Sequence, residues 1–215
     1  MTALVLLPGV YRPQADTRLL AQALDAEPIA PGSRVLEVGT GSGVLALLAA
    51  ARGAAVTAVD VSWPAVRTAR LNAHRARLPV RVELADAATC APSRRFDLVV
   101  SNPPYVPARS SRGSGPALAW DAGADGRAVV DRICARAARL LRPGGVLLLV
   151  HSALCGAATT VAKLRSEGLA ARIVLRADVP WGPVLSSRRS WLHERGLAPA
   201  TATREKLVVI RAERP

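Results

Sequence analysis

The sequence predicts an α/β fold with helices packed around a buried sheet, and three observations support that class. From Arg34 onward, short apolar runs alternate with helical patterns in βαβ order. The first strand closes on a glycine-rich turn, Gly39-Thr40-Gly41-Ser42-Gly43, which opens a helix. Half of the 215 residues are hydrophobic but only 3% are aromatic, so alanine, valine and leucine must supply an aliphatic core.

Each element has its own local signal. Asp16-Thr17 is expected to cap a helix whose Leu19, Leu20, Ala23 and Leu24 share one face, and Pro28, Pro31 and Gly32 end it. Strand Arg34–Val38, a helix over 44–52 and strand Ala55–Asp60 follow. Ser62 is the expected N-cap of a helix reaching about His74, with Pro64 in its first turn, and Val80–Leu84 is the next strand. Arg94-Arg95-Phe96 leads into a strand over 96–100. A helix over 126–141 is expected to stop at Pro143-Gly144-Gly145, before a buried strand over 146–150 and a helix over 157–167. Two last strands, 171–177 and 207–212, flank a long insertion with Trp181, Gly182, Pro183 and Trp191, in which 186–195 reads as a short helix. Ser110 to Pro116 reads as a loop just beyond the acceptor motif described below, placed to gate a substrate.

The length suits one domain, residues 1–215. Within it, 1–31 is an N-terminal helical cap segment, 32–150 a donor-binding core, and 151–215 the C-terminal strands with their insertion. The net charge is +13, and Lys163 and Lys206 are the only lysines, so arginine carries it. Arginine's planar fork suits phosphate and carboxylate, which admits a nucleic-acid or ribosomal partner. No basic run interleaved with aromatics concentrates that charge, and arginines scattered over a solvated surface explain it equally. Cys90, Cys134 and Cys155 have neither CxxC spacing nor a histidine cluster, so no metal site or disulfide framework is expected. The N-terminus lacks a basic region before a long apolar run, and no later run has spanning length. A cytoplasmic protein without membrane contact is the expectation.

Glycines at 39, 41 and 43 mark a turn where backbone approaches a ligand closely, since Cβ atoms would block the approach. The GxGxG spacing followed by Val44 lacks the third glycine of a dinucleotide fingerprint and the Gly-Lys-Ser/Thr of a P-loop, so a donor without phosphate fits better. Asp60, at the tip of the second strand, is placed to accept both hydroxyl hydrogens of a ribose. After the third strand, Asp86 can accept an adenine amino hydrogen while Ala87 donates its backbone N–H. Glu37 can hold an ammonium group, or be satisfied by nearby backbone amides. Thr40, Val61 and Asn102, the last shared with the acceptor side, complete the expected donor lining. This order of glycine turn, second-strand acid and third-strand acid resembles the Rossmann-like S-adenosylmethionine-dependent methyltransferases over about residues 32 to 150.

Ser101-Asn102-Pro103-Pro104-Tyr105 follows a buried strand and forms a rigid holder for a planar nitrogen. Asn102 Oδ1 and the Pro103 carbonyl can each accept one N–H, the two prolines stiffen the backbone that aims them, and Tyr105 can stack on the planar group. The motif is similar to that of amino-methyltransferases, whose targets include glutamine amide, adenine N6 and guanine N2. Val10-Tyr11-Arg12-Pro13-Gln14-Ala15-Asp16-Thr17 and the segment Ala119 to Arg127, with Asp131-Arg132, resemble the short single-domain branch of the HemK family.

That resemblance implies a three-layer class I methyltransferase, with a mostly parallel seven-stranded sheet and an antiparallel last strand. It implies N5-methylation of a glutamine in a peptide-chain release factor, with S-adenosylmethionine as donor. Asn102, Pro103 and Tyr105 would be catalytic, Asn102 to Tyr105 with Asp16 and Thr17 would bind the acceptor, and no metal is needed. A small zinc-binding activator protein is an implied partner. Base methylation of nucleic acid is the alternative, and a non-catalytic donor-binding scaffold the third reading.

Overall fold

The computed structural model describes residues 3–86, 95–109 and 115–215, apart from the side chain of Pro116. Ala87, Cys90 and most of the 110–116 loop lie outside the described residues.

The first half alternates as the sequence indicates: α1 (Ala15–Ala26), β1 (Arg34–Val38), α2 (Val44–Ala51), β2 (Ala55–Asp60), α3 (Trp63–Ala76), β3 (Val80–Leu84) and β4 (Phe96–Ser101). Then come α4 (Ala128–Leu140), β5 (Leu141–Ser152), α5 (Ala157–Ser166), β6 (Ala170–Pro180), α6 (Pro183–Ser187), α7 (Arg189–Glu194) and β7 (Arg204–Glu213). The seven strands form one sheet in the order β3-β2-β1-β4-β5-β7-β6. The pairs β3–β2, β2–β1, β1–β4 and β4–β5 are parallel, and β7 runs antiparallel between β5 and β6. Central strands read as unbroken apolar runs, Leu98 to Val100 and Val146 to Val150, because helices cover both faces. From β1 the chain builds outward through β2 and β3, then returns to place β4 on the other side of β1. The carboxyl ends of β1 and β4 therefore flank a topological switch point, where open α/β sheets bind ligands.

Three local expectations are corrected, and a fourth, Ser62 at the N-cap of α3, holds in position only. The residue that caps α1 is Gln14, without a side-chain bond, and Asp16 sits inside the first turn with its carboxylate turned elsewhere. Ser62 is the N-cap of α3, but its side chain caps nothing; its backbone N–H donates to Asp60 Oδ1 instead. Helix α4 ends at Leu140 and passes straight into β5, so Pro143-Gly144-Gly145 is not the helix stop. Those residues lie where the β4–β5 register shifts, and a Cβ on Gly145 would come within 2.9 Å of the Arg142 and Phe96 carbonyl oxygens. The insertion between β6 and β7 holds two short helices, not one. They close over a small core of their own, Trp181, Leu185, Leu192 and Ala198.

Before α1 the chain has no regular element, turns at Pro8-Gly9 and is held to α3. Asn72 Oδ1 accepts from Val5 N and its Nδ2 donates to the Val5 carbonyl, each at 2.9 Å. The same Nδ2 donates to the carbonyl of Ser42 in the glycine turn. Among the described residues no helix is long and apolar enough to cross a membrane.

Candidate active site

Strands β1 and β4 end in register, Val38 beside Ser101, and Ser101 Oγ donates to the Val38 carbonyl at 2.8 Å. That alignment brings the glycine turn and the Asn102 motif together. A Cβ on Gly39 would sit 3.9 Å from the Asn102 carbonyl oxygen. Gly43 has φ +81°, and a Cβ there would meet Ala69 Cβ of α3 at 3.1 Å, so glycine is what lets the turn lie against that helix.

Between the two motifs lies a cavity of about 390 Å³. Glu37, Gly39, Thr40, Gly41, Asp60, Val61 and Asp86 line it from the donor side, and Asp16, Thr17 and Asn102 to Tyr105 from the acceptor side. Gly43 is not in the lining; it holds the turn from behind. Ala87 lies outside the described residues. Val61 is 48% exposed although it is apolar, which suits a surface for a flat ring. Among the described residues, five acids, Asp16, Glu37, Asp60, Asp86 and Asp121, line the cavity against one basic residue, Arg132, in a chain of charge +13. Such a lining suits a cationic ligand.

Each acid is held differently. Asp60 Oδ2 accepts from Gly41 N and Oδ1 from Ser62 N, both at 2.9 Å, which leaves each oxygen a further lone pair. Burial raises its pKa, and the backbone N–H groups of Gly41, Ser62 and Val61 oppose the rise. Glu37 Oε2 accepts from Thr40 Oγ1 at 2.5 Å and Ala46 N at 3.0 Å. Burial still pushes the Glu37 carboxyl up to about 8, with the Asp60 charge adding to it. Asp86 Oδ1 is paired with Arg132 at 2.6 Å across the cavity rim.

On the acceptor side Asn102 Nδ2 donates to Thr17 Oγ1 at 3.1 Å. Tyr11 and Tyr105, the two tyrosines of the chain, both donate to Asp16 Oδ2, at 2.9 and 3.0 Å. Tyr105 is only 9% exposed, so its ring is a wall of the cavity fixed at its far end. Desolvation raises the pKa of both phenols, which keeps them donors. Beyond Tyr105 the chain pairs with 120–123: Val106 N donates to the Trp120 carbonyl and Ala108 N to that of Gly123, each at 2.8 Å.

The sequence reading missed three of these positions. Tyr11 lies in the segment that the family resemblance sets at the pocket border, but its bond to Asp16 has no signal in the sequence. Arg132 faces Asp86 from 46 residues away. Arg188, in the insertion, donates to the Pro107 carbonyl at 2.8 Å and pairs with Asp121 at 2.7 Å, bracing the acceptor wall. Tyr11 and Arg132 lie in segments that carry the family resemblance, whereas nothing local marks Arg188.

The family model described as methyltransferase small domain matches residues 3–167. The chain belongs to this methyltransferase family. A Methanocaldococcus jannaschii protein whose name assigns it, provisionally, to protein N5-glutamine methylation is 32% identical over 182 residues, covering 83% of this chain and 90% of that one. The release factor glutamine methyltransferase of Gloeobacter violaceus is 39% identical over 169 residues, covering 73% of this methyltransferase. The match spans 58% of that longer relative. Among solved structures, the E. cuniculi Mtq2–Trm112 complex, which methylates the termination factor eRF1, aligns with TM-score 0.66 and 22% identity over 96% of this chain and 99% of that one. The T. thermophilus 16S rRNA N2 methyltransferase RsmC, solved with AdoMet and guanosine, aligns with TM-score 0.64 and 22% identity over 98% of this chain and 46% of that one. At such identity the structural likenesses establish the shared class I methyltransferase fold.

Proposed function

We propose that this methyltransferase transfers a methyl group from S-adenosylmethionine to the side-chain amide nitrogen of a glutamine in a peptide-chain release factor. The observation that carries the reading is the placement of Asn102. Its Nδ2 is taken by Thr17, so Oδ1 is left for a ligand in the same cavity as the glycine turn and Asp60.

The residues fit a donor of this kind. Asp60, with a lone pair left on each oxygen, would hold a ribose diol. Glu37 would face the ammonium of the methionine part, Asp86 the adenine, and exposed Val61 its flat ring. The acid-rich lining suits a ligand with a net positive charge. Bound there, the donor supplies an electrophilic methyl group on a sulfonium.

A primary amide is a poor nucleophile, because its nitrogen lone pair is delocalised. Asn102 Oδ1 and the Pro103 carbonyl each accept one of its N–H groups, and both oxygens stabilise the positive charge that grows on nitrogen. Pro103 and Pro104 limit the backbone freedom of these acceptors, so little reorganisation is needed during transfer. No strong base is required, since the proton can leave to water after the new N–C bond forms. Tyr105, anchored by Asp16, confines the amide plane from the side.

The names of the relatives support glutamine over a nucleobase. The +13 charge favours a second reading, methylation of a base in RNA or DNA, with binding that weakens steeply with salt. The likeness to a complex with Trm112 supports a small activator protein as a partner, and a cytoplasmic location accords with the proposed substrate. The test is incubation with labelled donor and purified release factors, each beside a variant with the target glutamine changed to alanine. Transfer that requires the glutamine is expected; equal labelling of the alanine variant sinks the proposal.

A further inference from the structure

We infer that Asp16 and Thr17 act as positioning residues that fix the polarity of Asn102, so that its amide presents an oxygen, and never its NH2, to the acceptor nitrogen. This deepens the proposed function and rests on it for the identity of the acceptor.

Asp16, 4% exposed, accepts from the Thr17 backbone N at 2.6 Å and from Thr17 Oγ1 at 3.2 Å on one oxygen. Its other oxygen takes the hydroxyls of Tyr11 and Tyr105. With every contact donating, Asp16 works as an acceptor throughout. A threonine hydroxyl has a single hydrogen, and here Asp16 takes it. Thr17 Oγ1 must therefore meet Asn102, 3.1 Å away, as an acceptor, and only Nδ2 can satisfy it. The two ends of a primary amide are nearly equal in size, so a half-turn would exchange them at small steric cost. The swapped amide would set its own N–H groups against those of the acceptor. Asp16 excludes that state through Thr17.

The consequence is a chemical filter. A site whose wall ends in oxygen accepts planar nitrogens that carry hydrogens, such as a carboxamide or an exocyclic amine. It rejects a ring nitrogen offering only a lone pair. The relay also joins residues 85 apart, so the segment around Tyr11 and the acceptor motif are set together.

The chain has two asparagines, Asn72 and Asn102, so selective 15N-asparagine labelling gives two side-chain amide pairs, which Asn102→Ala assigns. In the free protein one Asn102 amide hydrogen is expected to exchange with solvent about tenfold more slowly than its partner. Thr17→Val, isosteric but without the hydroxyl, should abolish that difference, and Thr17→Ser should retain it. Equal exchange of both hydrogens in the unaltered protein, or protection that survives Thr17→Val, overturns the inference. This readout needs neither donor nor acceptor, so it stands apart from any failure of the release-factor reading. In turnover, Thr17→Val should lower kcat about tenfold with donor Kd unchanged, and should add little to Asn102→Ala. Full additivity of the two losses counts against the relay.

Discussion

Glu37 is held by a hydroxyl and a backbone amide, yet burial outweighs both and lifts its carboxyl from 4.5 to about 8. A raised carboxylate pKa means that between those values the folded protein binds more protons than the unfolded chain. The contribution of Glu37 to stability is then complete below 4.5 and is lost as pH rises to about 8. Thermal denaturation of the free protein across that range should show this decline, and Glu37→Gln should flatten it. Pairing with a donor ammonium needs the ionised form, so donor Kd should fall as pH approaches about 8 and level off above it. Calorimetry in two buffers of different ionisation enthalpy should detect the released proton. At Asn102, substitution by alanine should leave donor Kd nearly unchanged and cut transfer by about two to three orders of magnitude. A comparable loss of donor binding would reassign the residue. That Asp60, Asp86 and Asn102 would line one cavity was legible because each stands at or just past the carboxyl end of a parallel strand. The Asp16 hub was not, since its partners Tyr105 and Asn102 lie far along the chain and hydrogen-bond direction leaves no trace in residue spacing.

At the level of elements, β1 to β3 and the start of β4 were readable to the residue, because short runs rich in valine, apolar in the centre of the sheet and alternating at its β3 edge, are bounded by turn residues. Strand β5 was misread at its start because Pro-Gly-Gly after a helix has the chemistry of a stop, and only the pairing of Phe96 with Leu141 makes it strand. The single helix expected over 186–195 is two short helices, because the chain breaks at Arg188 and turns that side chain onto the Pro107 carbonyl and Asp121. Arg188→Ala should therefore raise KM for the acceptor severalfold while donor Kd holds; an equal change in both would deny the insertion a place at the acceptor side. Gly126 has φ +73°, and a Cβ there would collide with the Tyr105 carbonyl oxygen and approach Cys155 Sγ to 2.8 Å. Gly126→Ala is expected to cost about 1–3 kcal/mol of stability and to slow transfer, read by denaturation midpoint and initial rate. An unchanged midpoint would mean that the loop before α4 yields freely.

Across the whole molecule, the sign of charge separates the two views of the substrate. A chain of charge +13 encloses a cavity whose described charged lining is five acids and Arg132. Exposed arginines can steer or solvate, whereas the acids in the cavity suit the cationic donor of the proposed function. Surface charge of this kind makes nucleic-acid binding salt-sensitive but does not place a base in the site. The central claim is that the methyl group goes to glutamine, and one reaction tests it: labelled donor, purified release factor and total RNA incubated together with the enzyme, followed by mass spectrometry of the peptides and the nucleosides. The account predicts a single added methyl on one glutamine side chain, absent with Asn102→Ala, and unmodified nucleosides. Label recovered in a methylated base, with the release-factor peptides unchanged, would contradict it.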